Sequence, residues 1–357
     1  MTVRQTIDEA KLEAFVGKGV NDFGAMLTSA LVVIGDKLGL YQALAGAGAL
    51  TSAELAQRTG TTERYVRDWL VNQAASGYVD YDPATGRYTL PDEHAIALTD
   101  ETSPFFLVGA FQGSLAAVKS EAKIREAMRT GGGLLWGEHD PDLFVGTERL
   151  FRPGYSANLV ANWIPTLDGV ETKLKAGATV ADVGCGHGAS TIIMAQAYPR
   201  SRFAGYDNHA PSIERAREAA ADAGVADRVT FEVAAATAYP GANYDLIAFF
   251  DCLHDMGDPV AALRHARETI APDGTVLLVE PMAGARVEEN FNPVGRAYAG
   301  FSVLVCMPNA IASCGCDSAL GTIATDDQLR EVASAAGFTR FRRATETAFN
   351  RVFAIRP

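Results

Sequence analysis

The chain has 357 residues, 48% of them hydrophobic, and a formal net charge of −12. That length predicts two or more domains with apolar content enough for sizeable cores. The acidic balance counts against nucleic-acid and anionic-membrane partners, and no run of 18 apolar residues predicts a membrane span. The first residues lack the apolar core of a secretory signal. The five cysteines (Cys185, Cys252, Cys306, Cys314, Cys316) suit a reducing cytoplasm better than a disulfide scaffold.

In chain order, Gly24–Leu44 carries the apolar stripe of a long helix. Thr51-Ser-Ala-Glu54 is a capping box opening a short helix that ends at Gly60, and Thr62–Ser76 is a further helix stopped by Gly77. Tyr78-Val-Asp-Tyr81, a turn around Asp82-Pro-Ala-Thr-Gly86, and Tyr88-Thr-Leu90 predict a hairpin. Three helices and a hairpin form a winged helix, expected over residues 1–100. Such a domain either reads DNA or serves packing and dimerisation. Its recognition helix sets Arg64 and Arg67 against Glu63 and Asp68, without the basic face DNA readers concentrate. Packing in a homodimer is therefore the expected role.

Residues 101–164 read as a mostly helical linker interrupted by Gly131-Gly-Gly133, directly followed by Trp136, Glu138 and His139. Three glycines suggest a hinge, and Trp136 with His139 a lid over a substrate; an ordinary connector whose indole fills a core is the alternative. Tyr155 and Trp163 on the next helix are expected mainly in the core.

Residues 165–357 alternate strands and helices. Val180-Ala-Asp182-Val is a strand ending in an acid, followed by the turn Gly184-Cys-Gly186-His-Gly188 and a helix from Ala189. Closely spaced glycines let backbone approach a ligand, and the helix N-terminus behind them suits a carboxylate or phosphate. Further strands are read at Arg202–Asp207, Val229–Val233, Tyr244–Phe250 and Thr275–Glu280, the last entered through the turn Ala271-Pro-Asp-Gly274. Asp207 ends its strand about 20 residues after the glycines, where a ribose-binding acid belongs. The near-continuous apolar strands predict a parallel sheet covered on both faces. A helix capped by Thr325 and Gln328 and a final antiparallel hairpin, Phe338–Thr345 with Ala348–Ile355, complete the chain.

The third glycine arrives one residue earlier than in the dinucleotide fingerprint, with Asp182 two residues before the first. This pattern resembles motif I of the class I S-adenosyl-L-methionine (SAM) methyltransferases, and the resemblance covers roughly residues 165–357. It implies a seven-stranded, Rossmann-like α/β sheet and SAM as cofactor, with S-adenosylhomocysteine as product. The methionyl part would lie on Gly184, Gly186 and Gly188, with Asp182 helping to hold its amino group and Asp207 the ribose. Asn208, Phe250 and Asp251 complete the cofactor-binding set. Many members carry an acid after the third strand to bond the adenine amino group. This chain has Ala234-Ala235-Ala236, so adenine would rest on backbone N–H groups and apolar walls.

A winged helix ahead of such a domain is similar to the small-molecule O-methyltransferases. Their plant members carry a His-Asp-Trp-x-Asp run whose histidine is the general base. His254-Asp255-Met256-Gly257-Asp258 matches it with Met for Trp, and Glu280 stands where those enzymes place a partner carboxylate. An imidazole with an ordinary pKa of ~6.5 beside a carboxylate suits base catalysis near neutrality. A histidine that only caps the loop or walls the cofactor pocket is the competing reading. Residues 281–324 read as an inserted cap whose Phe291 and Tyr298 meet the substrate. Cys306, Cys314 and Cys316 either bind a soft metal or line an apolar wall; lacking zinc-type spacing, no metal is expected. The expected activity is methyl transfer to a small-molecule acceptor, as O-methylation with His254 as base. The alternatives are S- or N-methylation without a strong base, or a SAM-binding winged-helix regulator.

Overall fold

The computed structural model describes residues 7–314 and 318–357. Its contacts divide the chain into two units, Met1–Leu115 and Ala116–Pro357.

The first unit begins with a helix over Glu9–Lys37, capped by the Asp8 side chain accepting from the backbone of Lys11. The sequence places its start later, at Gly24. Gly17, Gly19 and Gly24 meet no atom at a Cβ position, so each costs the helix only its backbone entropy, about 1 kcal/mol relative to Ala. The helix stops before Gly39, whose φ of 69° no β-branched residue tolerates, and a short helix Leu40–Leu44 follows. The predicted capping box forms: Thr51 Oγ1 accepts from Glu54 N at 3.2 Å and Glu54 Oε2 accepts from Thr51 N at 2.8 Å. Helix Glu63–Ala75 then presents Val66, Trp69 and Leu70 to a core shared with Val32, Tyr41 and Leu55. The hairpin pairs β1 (Asp80–Asp82) with β2 (Arg87–Thr89), completing the winged helix.

The second unit is built on seven strands: β3 (Thr179–Val183), β4 (Arg202–Asp207), β5 (Val229–Val233), β6 (Tyr244–Phe250), β7 (Ile270–Pro281), β8 (Arg340–Glu346) and β9 (Asn350–Arg356). They lie in the order β5-β4-β3-β6-β7-β9-β8. The first five are parallel, and β9 and β8 close the edge antiparallel. Chain order reverses between β3 and β6, and that switch point opens a crevice at the carboxyl ends of the central strands. β3 and β6 are largely apolar and, past Thr179 and Asp245, buried along both faces because helices cover both. The Pro-Asp-Gly turn lies within β7: pairing with β6 jumps from Ile270 to Thr275 opposite Tyr244 and Leu246, a bulge that sets the strand's register.

Between β7 and β8 the helical turns over Pro293–Phe301, Ser302–Cys306 and Met307–Cys314 run on as one 22-residue helix. It is long and apolar enough to cross a membrane by length and composition alone, which the run-based sequence reading does not register. Its Val305 and Cys306 pack on Ala116, Ala117 and Leu143. The three glycines before Trp136 make a tight crossing. A Cβ on Gly133 would sit 2.3 Å from Pro308 O and 2.4 Å from Ala312 N, and Leu134 N donates to Pro308 O at 2.9 Å. Cys185, Cys252 and Cys306 are free thiols, whereas Cys314 is disulfide-bonded, against the expectation of a chain without disulfides. Cys316 lies outside the described residues.

Candidate functional site

The crevice at the switch point is a cavity of about 510 Å³ within the second unit, a volume suited to a cofactor-sized ligand. Its floor is the turn after β3. Gly184 (φ 75°), Gly186 (φ 52°) and Gly188 (φ 79°) all adopt left-handed backbone. They do so for different reasons. A Cβ on Gly184 would lie 2.7 Å from Cys252 Sγ, and one on Gly188 would lie 2.5 Å from the Phe231 ring. A Cβ on Gly186 would meet nothing and would project into open space. Gly184 and Gly186 line the cavity; Gly188 packs behind it.

Asp207, at the end of β4, braces this turn. Its Oδ2 accepts from Gly186 N and its Oδ1 from His209 N, both at 2.9 Å. Each oxygen keeps a lone pair for a ligand hydroxyl. Asn208, Ala235, Ala236 and Phe250 also lie on the cavity wall, as the sequence reading expects of a cofactor site. Asp182 does not reach it. Ser190 Oγ and Thr191 Oγ1 both donate to its Oδ2 at 2.6 Å, fastening the helix start beneath the turn. Its Oδ1 has no partner, and burial pushes its carboxyl up to about 6. In this structure Asp182 supports the turn and stands behind the cavity wall, so any help it gives in holding an amino group would pass through water.

The far wall comes from helix Asp142–Asn158, whose Phe144, Glu148, Phe151 and Tyr155 face the cavity. Phe144 stacks on His209 with ring centroids 4.2 Å apart, and His187, inside the glycine turn, pairs through Nδ1 with Glu148 at 2.9 Å. Phe144, Glu148 and Phe151 carry no motif in the sequence, and Tyr155, expected mainly in the core, lines the cavity instead. The signal available was a set of aromatics spaced by seven and then four residues (Phe144, Phe151, Tyr155), which marks one helix face without saying whether it meets protein or ligand. Trp163 is fully buried, as expected.

Asp251, just after β6, has φ 50°, a conformation a side-chain-bearing residue rarely adopts. Tyr155 Oη donates to its Oδ2 at 2.7 Å and Asn350 Nδ2 to its Oδ1 at 2.8 Å. Burial pushes the carboxyl up to about 7 against the lowering effect of the Tyr155 hydroxyl.

His254 and Glu280 do form a pair: His254 Nδ1 lies 2.7 Å from Glu280 Oε2, and both side chains are buried. Burial alone would lower the imidazole pKa, but the Glu280 charge and a hydrogen bond with Cys306 raise it well above the usual value. Neither His254 nor Glu280 lies on the cavity wall; Cys306 of the long helix hydrogen-bonds the ring. His254, Asp255 and Cys306 bring ligand-type atoms within 4.8 Å of one another. Asp255 does line the cavity, accepts from Trp136 Nε1 at 2.8 Å, and is pushed up to about 6 by burial.

Of the four expected substrate residues, only Trp136 faces this cavity. His139 is buried, with Nδ1 3.0 Å from Ser120 Oγ. Tyr298 is buried and donates to Phe349 O at 3.0 Å, so its hydroxyl is occupied in packing. Phe291 is 79% exposed and sits outside the cavity, because the helix begins only at Pro293, after its cap Asn292.

Family comparison agrees with this architecture. Residues 174–336 match the model of a methyltransferase domain, and residues 25–100 match the Rv2258c-like winged helix-turn-helix domain. The 27-O-demethylrifamycin SV methyltransferase of Amycolatopsis mediterranei is 35% identical over 131 residues, covering 34% of this chain and 48% of that protein. The chain thus spans about half the length of that curated relative. Among solved structures, mitomycin 7-O-methyltransferase superposes with a TM-score of 0.70 at 19% identity, covering 98% of this chain and 100% of the other. Human N-acetylserotonin methyltransferase, solved with SAM, gives 0.69 at 18% identity, covering 99% of each chain. At such identity these two likenesses establish the fold.

Proposed function

The chain carries a methyltransferase domain at residues 174–336 behind a winged helix-turn-helix domain, with the fold of the class I SAM-dependent methyltransferases, and from that premise we propose that it transfers a methyl group from SAM to a small molecule. The observation that carries this reading is Gly186, whose backbone opens on the cavity beside Asp207 with room no side chain fills. SAM supplies an already activated methyl group, so the residues need only hold donor and acceptor in line and exclude water. Gly184 and Gly186 would carry the methionyl part, Asp207 the ribose, and Asn208 with Ala235 and Ala236 the adenine side. The helix carrying Phe144, Phe151 and Tyr155 supports an apolar, aromatic-walled acceptor region; the curated relative named above acts on a rifamycin, in keeping with a bulky small molecule.

For an oxygen acceptor, the His254–Glu280 pair supports His254 as general base, with Glu280 orienting the ring; because its pKa is raised, the imidazole would accept a proton only at a pH above its ordinary range. The imidazole is buried off the cavity wall, so an acceptor would meet it only after a local rearrangement. That placement favours a second reading, S- or N-methylation, in which no strong base is needed. A nucleic-acid partner is not part of the proposal: Arg64 pairs with Asp68 at 2.6 Å and Arg67 with Glu63 at 2.7 Å, cancelling the charge of the would-be recognition helix. A homodimer is. Helix Glu9–Lys37 exposes Leu12, Phe15, Val16, Val20, Phe23 and Leu27 at three- and four-residue spacing, a stripe that a second copy of the same helix would bury. Titration calorimetry with SAM and S-adenosylhomocysteine tests the core of the proposal: micromolar binding of both is expected, and binding of neither rejects it.

A further inference from the structure

Asp251 is the cavity's odd residue. It carries a left-handed φ without being glycine, a conformation that costs on the order of 1–2 kcal/mol. Its backbone N–H still donates to Val279 O at 2.8 Å, so the sheet continues while the side chain is turned into the cavity. Two neutral groups from opposite directions grip the carboxyl: the Tyr155 hydroxyl from helix Asp142–Asn158 and the Asn350 amide from the start of β9. Among the described residues no Lys or Arg pairs with it. Its hydrogen-bond donors are neutral, and the His254 charge that eases its ionisation is offset by the Glu280 carboxylate, so burial keeps the carboxylate expensive to ionise. The arrangement becomes favourable when a cation arrives from the open side, and the donor proposed above brings a sulfonium.

We propose that Asp251 is the counter-charge of the methyl donor, ionised while the sulfonium is present and protonated once it is gone. The proposal rests on the SAM reading. Its charge balance closes. As the methyl group passes to an O–H, S–H or N–H acceptor, the sulfur–carbon bond breaks with its electron pair staying on sulfur, and the acceptor gives up a proton. The cavity has then lost a cation and gained a proton, and Asp251, whichever group first takes that proton, is where it comes to rest. No net charge is created in a buried site. The same switch loosens the neutral product, since its partner carboxyl is no longer an anion.

The titratable groups facing Asp251 are Tyr155, Cys252, His254, Glu280 and, from helix Pro293–Phe301, Tyr298. None of the five belongs to the donor, so all of them meet SAM and S-adenosylhomocysteine alike, and the difference between the two ligands isolates the sulfonium. Asp251, pushed up to about 7, is part protonated at neutral pH.

Calorimetry of the whole protein at pH 7, repeated in buffers of different ionisation enthalpy, counts the protons exchanged on binding. SAM should release about half a proton more than S-adenosylhomocysteine. Asp251→Asn should abolish that excess relative to wild type and weaken SAM about tenfold while changing S-adenosylhomocysteine less than about threefold. Because this variant removes a buried charge, Tyr155→Phe provides an independent arm: losing the hydroxyl that holds the carboxylate should move the proton-release profile to higher pH. An equal proton count for the two ligands, or an excess that survives in Asp251→Asn, overturns the role of Asp251. Failure of the wild type to bind either ligand rejects the donor reading beneath it, a separate outcome.

Discussion

At the scale of single residues, the glycine turn separates folding from binding. Gly188→Ala puts a Cβ into the buried Phe231 ring at 2.5 Å and in left-handed backbone, and should cost about 2–4 kcal/mol in denaturant unfolding. Gly186→Ala meets nothing, so its cost should be only the conformational ~1 kcal/mol, while SAM affinity falls at least about tenfold. If Gly186→Ala binds SAM like wild type, the floor of the site is wrongly placed. The His254–Glu280 pair offers a second residue-scale test. Glu280→Gln leaves only Cys306 to oppose the lowering effect of burial, and NMR titration should show the His254 pKa falling well below its wild-type value. Breaking so buried a pair should also cost about 3 kcal/mol. Because His254 is raised in the folded protein, that stabilisation is fully present below its unfolded pKa. It is lost as pH rises through the folded value, so the gap between wild type and variant should close at high pH.

Elements show what the sequence could and could not convey. Strand–helix alternation and the glycine turn are local patterns, and they were enough for the sheet type and the methyltransferase fold. Asp251 was legible only as a position. Its partners Tyr155 and Asn350 lie 96 and 99 residues away, and periodicity along one helix or strand does not report which distant elements meet. The placement of Phe291 and Tyr298 was illegible for a related reason: one precedes the helix cap and is exposed, and the other turns inward. The tri-glycine looked like a hinge because glycine permits both mobility and close approach, and here the approach of Gly133 to Pro308 and Ala312 is what requires it. Gly133→Ala should therefore push the Trp136 segment off its helix, breaking the indole bond to Asp255 and shifting Trp136 fluorescence to the red. The first helix carries its own test. Phe15→Glu with Phe23→Glu, at positions 71% and 58% exposed, should leave circular dichroism unchanged and give a monomer in sedimentation. A dimer persisting at wild-type strength moves the interface elsewhere.

At the scale of the molecule, the cavity makes stability depend on pH in an unusual direction. Asp182, Asp251 and Asp255 are pushed up to about 6, 7 and 6 by burial, whereas an unfolded aspartate titrates near ~3.9. Although burial lowers the pKa of His139 and His209, which pull the other way, the folded chain binds more protons at the three aspartates than the unfolded one between those values, so the three lower stability as pH rises through about 4 to 7. A raised His254 acts with the same sign at higher pH, and so does the self-repulsion of a chain with net charge −12. The ligand-free protein should therefore melt several degrees higher at pH 5.5 than at pH 8, where each kcal/mol is worth roughly 2–4 °C for a unit of this size. A cationic ligand reverses part of the loss, because it favours the ionised carboxyls that burial penalises. SAM should accordingly raise the melting temperature more at pH 8 than at pH 5.5, and the neutral S-adenosylhomocysteine should show a smaller pH dependence of its shift. Differential scanning calorimetry across that range decides the matter: a melting temperature that climbs from pH 5.5 to 8 would mean that these three aspartates are ionised and compensated by the protein itself, with no charge left for the donor to answer.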